Sequence, residues 1–193
     1  RDGFSSIRAG YNLAQNLTQQ YGSMHFYVSP PMNLTVDKSL TKQLNQNLWS
    51  EERQYRLSDS TSFDEGGAIY VQKVHLAPEP NLLLGTHSSQ LELLKRTLPK
   101  FLSTVQSSSF LKRFQSNVKQ QKLLIQGEPC LANDFQALVD TRGNFFQLDL
   151  DRCFVPGTSV KQNITNEELS ECLQAINSIE KQVKKALSRH KIR

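Results

Sequence analysis

The sequence predicts an α+β fold, mostly helical with small antiparallel β elements, and three observations predict it. From Asn166 to about Ser188, apolar residues recur at three- and four-residue spacing: Leu169, Cys172, Leu173, Ile176, Ile179, Val183 and Leu187. That period is the signature of an amphipathic helix. Second, Thr141-Arg142-Gly143-Asn144 joins two short apolar runs, and Gly and Asn there supply the positive φ that tight hairpins need. Third, Gly66-Gly67 opens onto Ala68-Ile69-Tyr70-Val71-Gln72-Lys73-Val74, a run rich in β-branched and aromatic residues.

Taken in order, Phe4 to Tyr21 forms the first helix, with Phe4, Ile7, Tyr11, Ala14, Leu17 and Tyr21 on its apolar stripe and Gly22 as its stop. His25-Phe26-Tyr27-Val28 is a short strand, closed by Ser29-Pro30-Pro31. Leu40, Leu44 and Leu48 predict a helix over about 37–47, with the single tryptophan, Trp49, in the core. Residues 50–67 are polar and form a long loop. The strand at 68–74 leads into His75-Leu76-Ala77-Pro78-Glu79-Pro80, which is extended.

Thr86 or Ser88 caps the next helix, whose stripe is Leu91, Leu94 and Leu98; Pro99 kinks or ends it, and Phe101, Leu102 and Val105 continue the spacing. Ser107-Ser108-Ser109 breaks to a helix over 110–120, with Phe110, Leu111, Phe114 and Val118 inward and Lys112, Arg113, Lys119 and Lys122 outward. Strands at 136–140 and 145–150 make the hairpin. Alternation in Leu148-Asp149-Leu150-Asp151 points both aspartates to one face. After a turn at Val155-Pro156-Gly157-Thr158, Thr165 and Glu168 form a capping box at the start of the last helix, 166–188. The tail, 189–193, frays or continues into further chain.

Composition narrows the function classes. The chain has 193 residues, 37% apolar, with a formal net charge of +5. That is enough for one domain with a real core, or one domain plus a helical appendage. The basic excess sits at 95–122 and 181–193 and admits an acidic partner, a nucleotide or an anionic surface. No RNP, KH or helix-turn-helix pattern accompanies it, and a solvated basic face is the simpler reading; nucleic acid is not expected as a partner. No apolar run approaches the roughly 18 residues that span a bilayer, so no transmembrane segment is expected. The three cysteines, Cys130, Cys153 and Cys172, have no CxxC spacing, which argues against zinc and against a dense disulfide framework. Cys130 and Cys153 flank the hairpin and are candidates to lie near each other, although free thiols in a reducing compartment are the simpler expectation. Asn16, Asn33 and Asn163 each open an N-x-T triplet, which such a composition produces by chance. The sequence starts at Arg1 rather than Met and is expected to be part of a longer protein.

The chemistry-bearing residues cluster between Leu123 and Phe154. Gln126, Gly127 and Glu128 follow an apolar lead-in, Asn133 stands five residues on, and the hairpin closes on Asp149 and Asp151. Carboxylates and an amide oxygen are hard ligands of the kind that hold Mg²⁺ on a nucleotide. This order resembles the catalytic core of protein kinases and small-molecule kinases, in which a loop H-G-D-x-x-x-x-N precedes a hairpin whose closing Asp binds magnesium. Gly127 matches the loop glycine, Asn133 the loop asparagine, Ala137-Leu138-Val139-Asp140 the first strand, Gly143 the turn, and Leu148-Asp149-Leu150-Asp151 the magnesium strand.

The resemblance implies Asn133 and Asp149 as metal ligands, Asp151 as a further ligand, and Glu128 in the place of the catalytic Asp. It implies ATP and Mg²⁺ as cofactors and a protein substrate or partner. It also implies a reduced N-lobe-like region at 1–74 and a helical C-lobe-like region at 75–193. The segment 72–77, with Lys73 and His75, would then be the hinge against the nucleotide base. A soluble location follows, either cytoplasmic or as a secreted bacterial effector, since small atypical effector kinases show a similar economy.

The sequence departs from the kinase pattern at several points. Gln126 replaces His, and Asp134-Phe135-Gln136 is an insertion. No acidic residue lies between Gly3 and Val36 to serve the first helix, and no GxGxxG or GxxxxGK[ST] occurs. Two alternatives therefore stand beside an active kinase: a non-catalytic pseudokinase or protein-interaction module, and a glycosidase-like pairing of Glu128 with Asp149 or Asp151.

Overall fold

The computed structural model describes residues 4–21, 25–26, 32–35, 68–71, 81–105 and 109–190. The readings for the helix over 37–47, Trp49, the loop 50–67, Lys73, His75 and the linker 75–80 lie outside them. The chain divides into two units, Pro31–Gln72 and the remainder, Arg1–Pro30 with Lys73–Arg193. In the smaller unit, β2 (Met32–Thr35) pairs antiparallel with β3 (Ala68–Val71), from Met32↔Val71 to Thr35↔Ala68. The β3 residues were expected as strand; β2 has no sequence signal beyond its four residues.

The larger unit holds four helices, α1 (Phe4–Tyr21), α2 (Ser88–Thr104), α3 (Phe110–Gly127) and α4 (Asn166–His190), among the described residues. Its sheet is built on three antiparallel strands: β4 (Asn81–Gly85), β5 (Gln136–Asp140) and β6 (Phe145–Gln147). The two-residue β1 (His25–Phe26) adds in parallel to the free edge of β6, giving the order β1-β6-β5-β4. The fold is α+β and mostly helical, as the sequence predicts.

The hairpin forms for the expected reason. Asp140 is buried, and its Oδ1 accepts from the backbone N–H groups of Arg142 and Asn144, both at 2.9 Å, while Oδ2 accepts from Asn144 Nδ2 at 2.7 Å. The carboxylate thus replaces the backbone partners that the turn lacks. Gly143 has φ 86°, and a Cβ there would stand 2.9 Å from both Phe110 O and Phe114 N. Glycine is required twice over, by conformation and by the approach of α3. Asn117 of α3 closes the contact by donating from Nδ2 to Gly143 O at 2.8 Å.

One apolar core joins the sheet to the helices. Ala137 and Val139 of β5 and Leu82 and Leu84 of β4 point into it, with Leu94, Leu98, Phe101 and Leu102 from α2 and Ile176, Ile179 and Val183 from α4. Phe101, Phe110, Phe114 and Phe145 make successive ring contacts at centroid distances of 5.9, 5.7 and 5.3 Å. Each fully buried side chain of this size contributes roughly 1.5–3 kcal/mol.

Several expectations need correction. The apolar stripe of α1 is only partly as expected: Ala14 and Leu17 are buried, but Ser6, Gly10 and Leu13 are buried beside them, while Ile7 and Tyr11 are half-buried and Tyr21 is exposed. Helix α2 runs through Pro99 rather than ending there. The missing N–H and ring clash cost roughly 3 kcal/mol, but burial of Leu98, Phe101 and Leu102 on both sides of Pro99 outweighs that. Its N-cap is His87, not Thr86 or Ser88, and Gln90 Oε1 accepts from His87 N at 3.1 Å. Helix α3 continues to Gly127, so Gln126 and Gly127 belong to its last turn.

The largest correction concerns 148–151. Strand pairing stops at Gln147, opposite Ala137 near the start of β5. Asp149 turns the chain with φ 54° and ψ 41°, and Leu150–Cys153 is a 3₁₀ turn that buries Leu150 and Cys153. The alternation in sequence therefore places no pair of aspartates on a strand face. Helix α4 and its cap match the sequence reading: Glu168 Oε2 accepts from Thr165 N at 2.8 Å, and Glu168 N donates to Thr165 Oγ1 at 3.2 Å.

Candidate metal and nucleotide site

Two short 3₁₀ turns carry the candidate residues. The first, Pro129–Ala132, follows α3 directly; the second, Leu150–Cys153, follows β6. Proline at the start of the first turn suits a position whose N–H would have no partner. The turns pack on each other, and the second also packs on α1. Gly10 of α1 makes that approach possible: a Cβ there would lie 2.7 Å from Asp151 N and 2.9 Å from Leu150 C. One crevice is lined by Cys130, Leu131 and Asp134 from the first segment and by Gln147, Asp149, Leu150, Arg152 and Cys153 from the second.

Asn133 ends the first turn. Its Nδ2 donates to Arg152 O at 2.8 Å, and Gln162 Nε2 donates to the same carbonyl at 3.2 Å. The amide is held across the two turns with its oxygen as the remaining acceptor end. Asp134, read from sequence as part of an insertion, is a junction: its Oδ1 lies 2.9 Å from His87 Nε2 and accepts from Gln136 Nε2 at 3.0 Å, and its Oδ2 faces Arg152 Nε at 3.8 Å. Asp149 is the one non-glycine residue with positive φ among the described residues. A strained backbone of this kind marks positions that the surroundings over-determine. Although Asp149 is exposed overall, crowding of its carboxyl group raises its pKa above the usual aspartate value. Repulsion from Asp151 and Asp134 adds to this, and Arg152 opposes it. Three carboxylates thus lie within each other's field, with one guanidinium as partial counter-charge.

Glu128 caps the end of α3 and faces elsewhere. Its Oε1 lies 2.7 Å from Lys161 Nζ and 3.3 Å from Cys130 Sγ. The hydrogen bond that Lys161 donates to Glu128 raises the Lys161 pKa above the ordinary lysine value, although partial burial works against it. Lys161 is paired in a bridge with Phe154 just beyond the second turn, and no spacing in the sequence connects it to Glu128.

A separate cavity of about 230 Å³ lies beside the first turn. Thr86 and His87 at the entry to α2, Ala132 and Asn133, Ile164, and Glu168, Glu171 and Cys172 of α4 line it. Asn133 therefore lines this cavity, whereas Asp134 and Asp149 line the crevice on the other side of the turn. Among the described residues no three His, Cys, Asp or Glu side chains converge to hold a metal unaided. A magnesium ion on a nucleotide requires only one or two protein carboxylates, with phosphate and water oxygens completing its shell. No helix of the described residues is long and apolar enough to cross a membrane.

Comparisons with protein-family models, with curated proteins and with solved structures find no match to this chain.

Proposed function

We propose that this chain is a divergent kinase-like domain that binds a magnesium nucleotide at the two 3₁₀ turns and transfers phosphate to a protein hydroxyl. In this reading Asp149 and Asn133 are the metal ligands, Asp151 is an outer ligand, and Lys73 and His75, which lie outside the described residues, keep the base-contacting role that the kinase resemblance implies. Glu128 orients or deprotonates the acceptor hydroxyl.

The observation that carries the reading is the state of Asp149. Its backbone is held in a left-handed conformation, and although the residue is exposed overall, crowding of its carboxyl group and two neighbouring carboxylates disfavour its charge. A divalent cation bound there would offset the repulsion among the three carboxylates. Asn133 lines the neighbouring cavity rather than the Asp149 crevice, so its place as second ligand rests on the kinase resemblance; the Asn133–Arg152 bond ties the two turns together.

The pairing of Glu128 with Lys161 favours a second reading, a pseudokinase that binds nucleotide without transferring phosphate. The Lys161 ammonium occupies the Glu128 oxygen that a general base would offer to an acceptor hydroxyl. The test is magnesium-dependent ATP binding, compared between the native chain and Asp149→Asn. Asn tolerates the left-handed backbone and removes the charge, so the fold is retained. Binding lost in the variant supports Asp149 as a ligand; undiminished binding removes it. Transfer of phosphate to a protein acceptor, lost in Glu128→Gln, then separates kinase from pseudokinase.

A further inference from the structure

Cys130 and Cys153 come from different turns, yet the two turns pack on each other and both cysteines line the same crevice. Both side chains are buried. The backbone on each side is fixed: Asn133 N donates to Cys130 O at 3.2 Å, and Gln162 N donates to Cys153 O at 2.8 Å. Cys172 stands apart on α4 and lines the other cavity. The two thiols thus sit in a rigid setting, brought to one crevice by the packed turns, with the third cysteine excluded by position.

We propose that Cys130 and Cys153 are a disulfide-forming pair that staples the turn after α3 to the turn after Asp149. An Sγ–Sγ bond forms and two S–H bonds break; the two electrons and two protons pass to a low-molecular-weight disulfide, which is released as two thiols. Because both thiols are buried, the exchange takes place during folding or local opening rather than at the native surface. The consequence is structural first. The bond closes a loop that contains Asn133 and the whole hairpin and ends just beyond Asp149, so both candidate metal ligands are held within one covalent ring. The proposal does not depend on the nucleotide reading, and its test uses no nucleotide.

The experiment is refolding of the chain in a buffer of oxidised and reduced glutathione, followed by alkylation and peptide mapping without reductant. The expected result is one cross-linked species joining the Cys130 and Cys153 peptides, two hydrogens lighter than the separate thiols, with Cys172 alkylated only after unfolding. A loop of roughly 20–25 residues gives a gain in melting temperature on the order of 5–10 °C over the reduced protein. The oxidised and reduced native chain are compared directly, so no substitution is needed for that measurement. Cys130→Ser and Cys153→Ser should each abolish the cross-link and the response to reductant, and Cys172→Ser should keep both. Three alkylatable thiols after oxidative refolding, or a cross-link that includes Cys172, would overturn the proposal.

Discussion

Replacing Gly10 with alanine tests how the first helix supports the site. In an exposed helix interior, glycine to alanine stabilises by roughly 0.5–1 kcal/mol through the lower entropy of the unfolded chain. At Gly10 the added methyl meets backbone: 2.7 Å to Asp151 N, 2.9 Å to Leu150 C and 3.1 Å to Asp151 Cα. Neither the helix nor the 3₁₀ turn can yield by a side-chain rotation, so one must move as a unit. Overpacking of this kind costs typically about 1–3 kcal/mol. The two effects oppose, and the clash wins, leaving a net loss of about 1–2 kcal/mol. For 193 residues that lowers the melting temperature by roughly 2–8 °C. Urea denaturation reads it as a lower midpoint with an unchanged slope. Gly127→Ala is the control: among the described residues its Cβ would meet only Tyr21 Oη at 3.1 Å, the far end of an exposed side chain that can swing away. That variant should be neutral or slightly stabilised. A Gly10→Ala protein as stable as Gly127→Ala would refute the close approach of α1 to the turn, and with it the account of how the turn after Asp149 is held.

Three further outcomes follow from the same geometry. Asp140→Ala leaves two backbone N–H groups of a tight turn without their acceptor and should cost about 1–3 kcal/mol in thermal or urea unfolding; a change within measurement error would show that the hairpin does not need its carboxylate. Glu180 joins α4 to α3: burial works against its charge, but hydrogen bonds from Lys184 and Gln115 and the charges of Lys184 and Lys122 outweigh burial and hold its pKa below the usual value. Its stabilisation is therefore full above the ordinary carboxylate range and lost as pH falls through the depressed pKa; Glu180→Gln should flatten the acid limb of the stability profile, and an unaltered limb would contradict this. Asp149 has the opposite sign, since its raised pKa means that ionisation weakens the fold as pH rises through it. Asp149→Asn should be at least as stable as the native chain near neutral pH without cations, and a clear loss of stability would indicate a structural role for the carboxylate.

The parts of the fold that the sequence discloses are those whose determinants are local. Thr165 and Glu168 announce the start of α4 because the capping box needs only those two side chains, and its apolar period follows unbroken. The hairpin is legible because Asp140, Gly143 and Asn144 satisfy the turn among themselves. Strand β4 is hidden: Leu82-Leu83-Leu84 neither alternates nor carries β-branched residues, and its strand character comes from pairing with β5 far along the chain. The face of α1 is read only in part: Ala14 and Leu17 are buried as expected, but the closest contact is made by Gly10, a residue that periodicity counts as nothing. At the candidate site, Asn133 and Asp149 stand out by residue type and order. The turn at Leu148–Asp151 does not, because Leu and Asp alternate there as they would in a strand; Leu150 is buried for a different reason, its contact with α1. Asp134, Arg152 and Lys161 act through partners distant in sequence, and no spacing announces them.

The most direct test of the nucleotide reading is the melting temperature of the chain with ATP, with and without Mg²⁺, beside Asp149→Asn. Ligand at about 100 times its dissociation constant adds roughly 2.7 kcal/mol, which is on the order of 5–10 °C for a domain of this size. The account predicts a rise that needs both ATP and Mg²⁺ and is absent in Asp149→Asn. No magnesium-dependent rise in the native chain, or an equal rise in the variant, would contradict it.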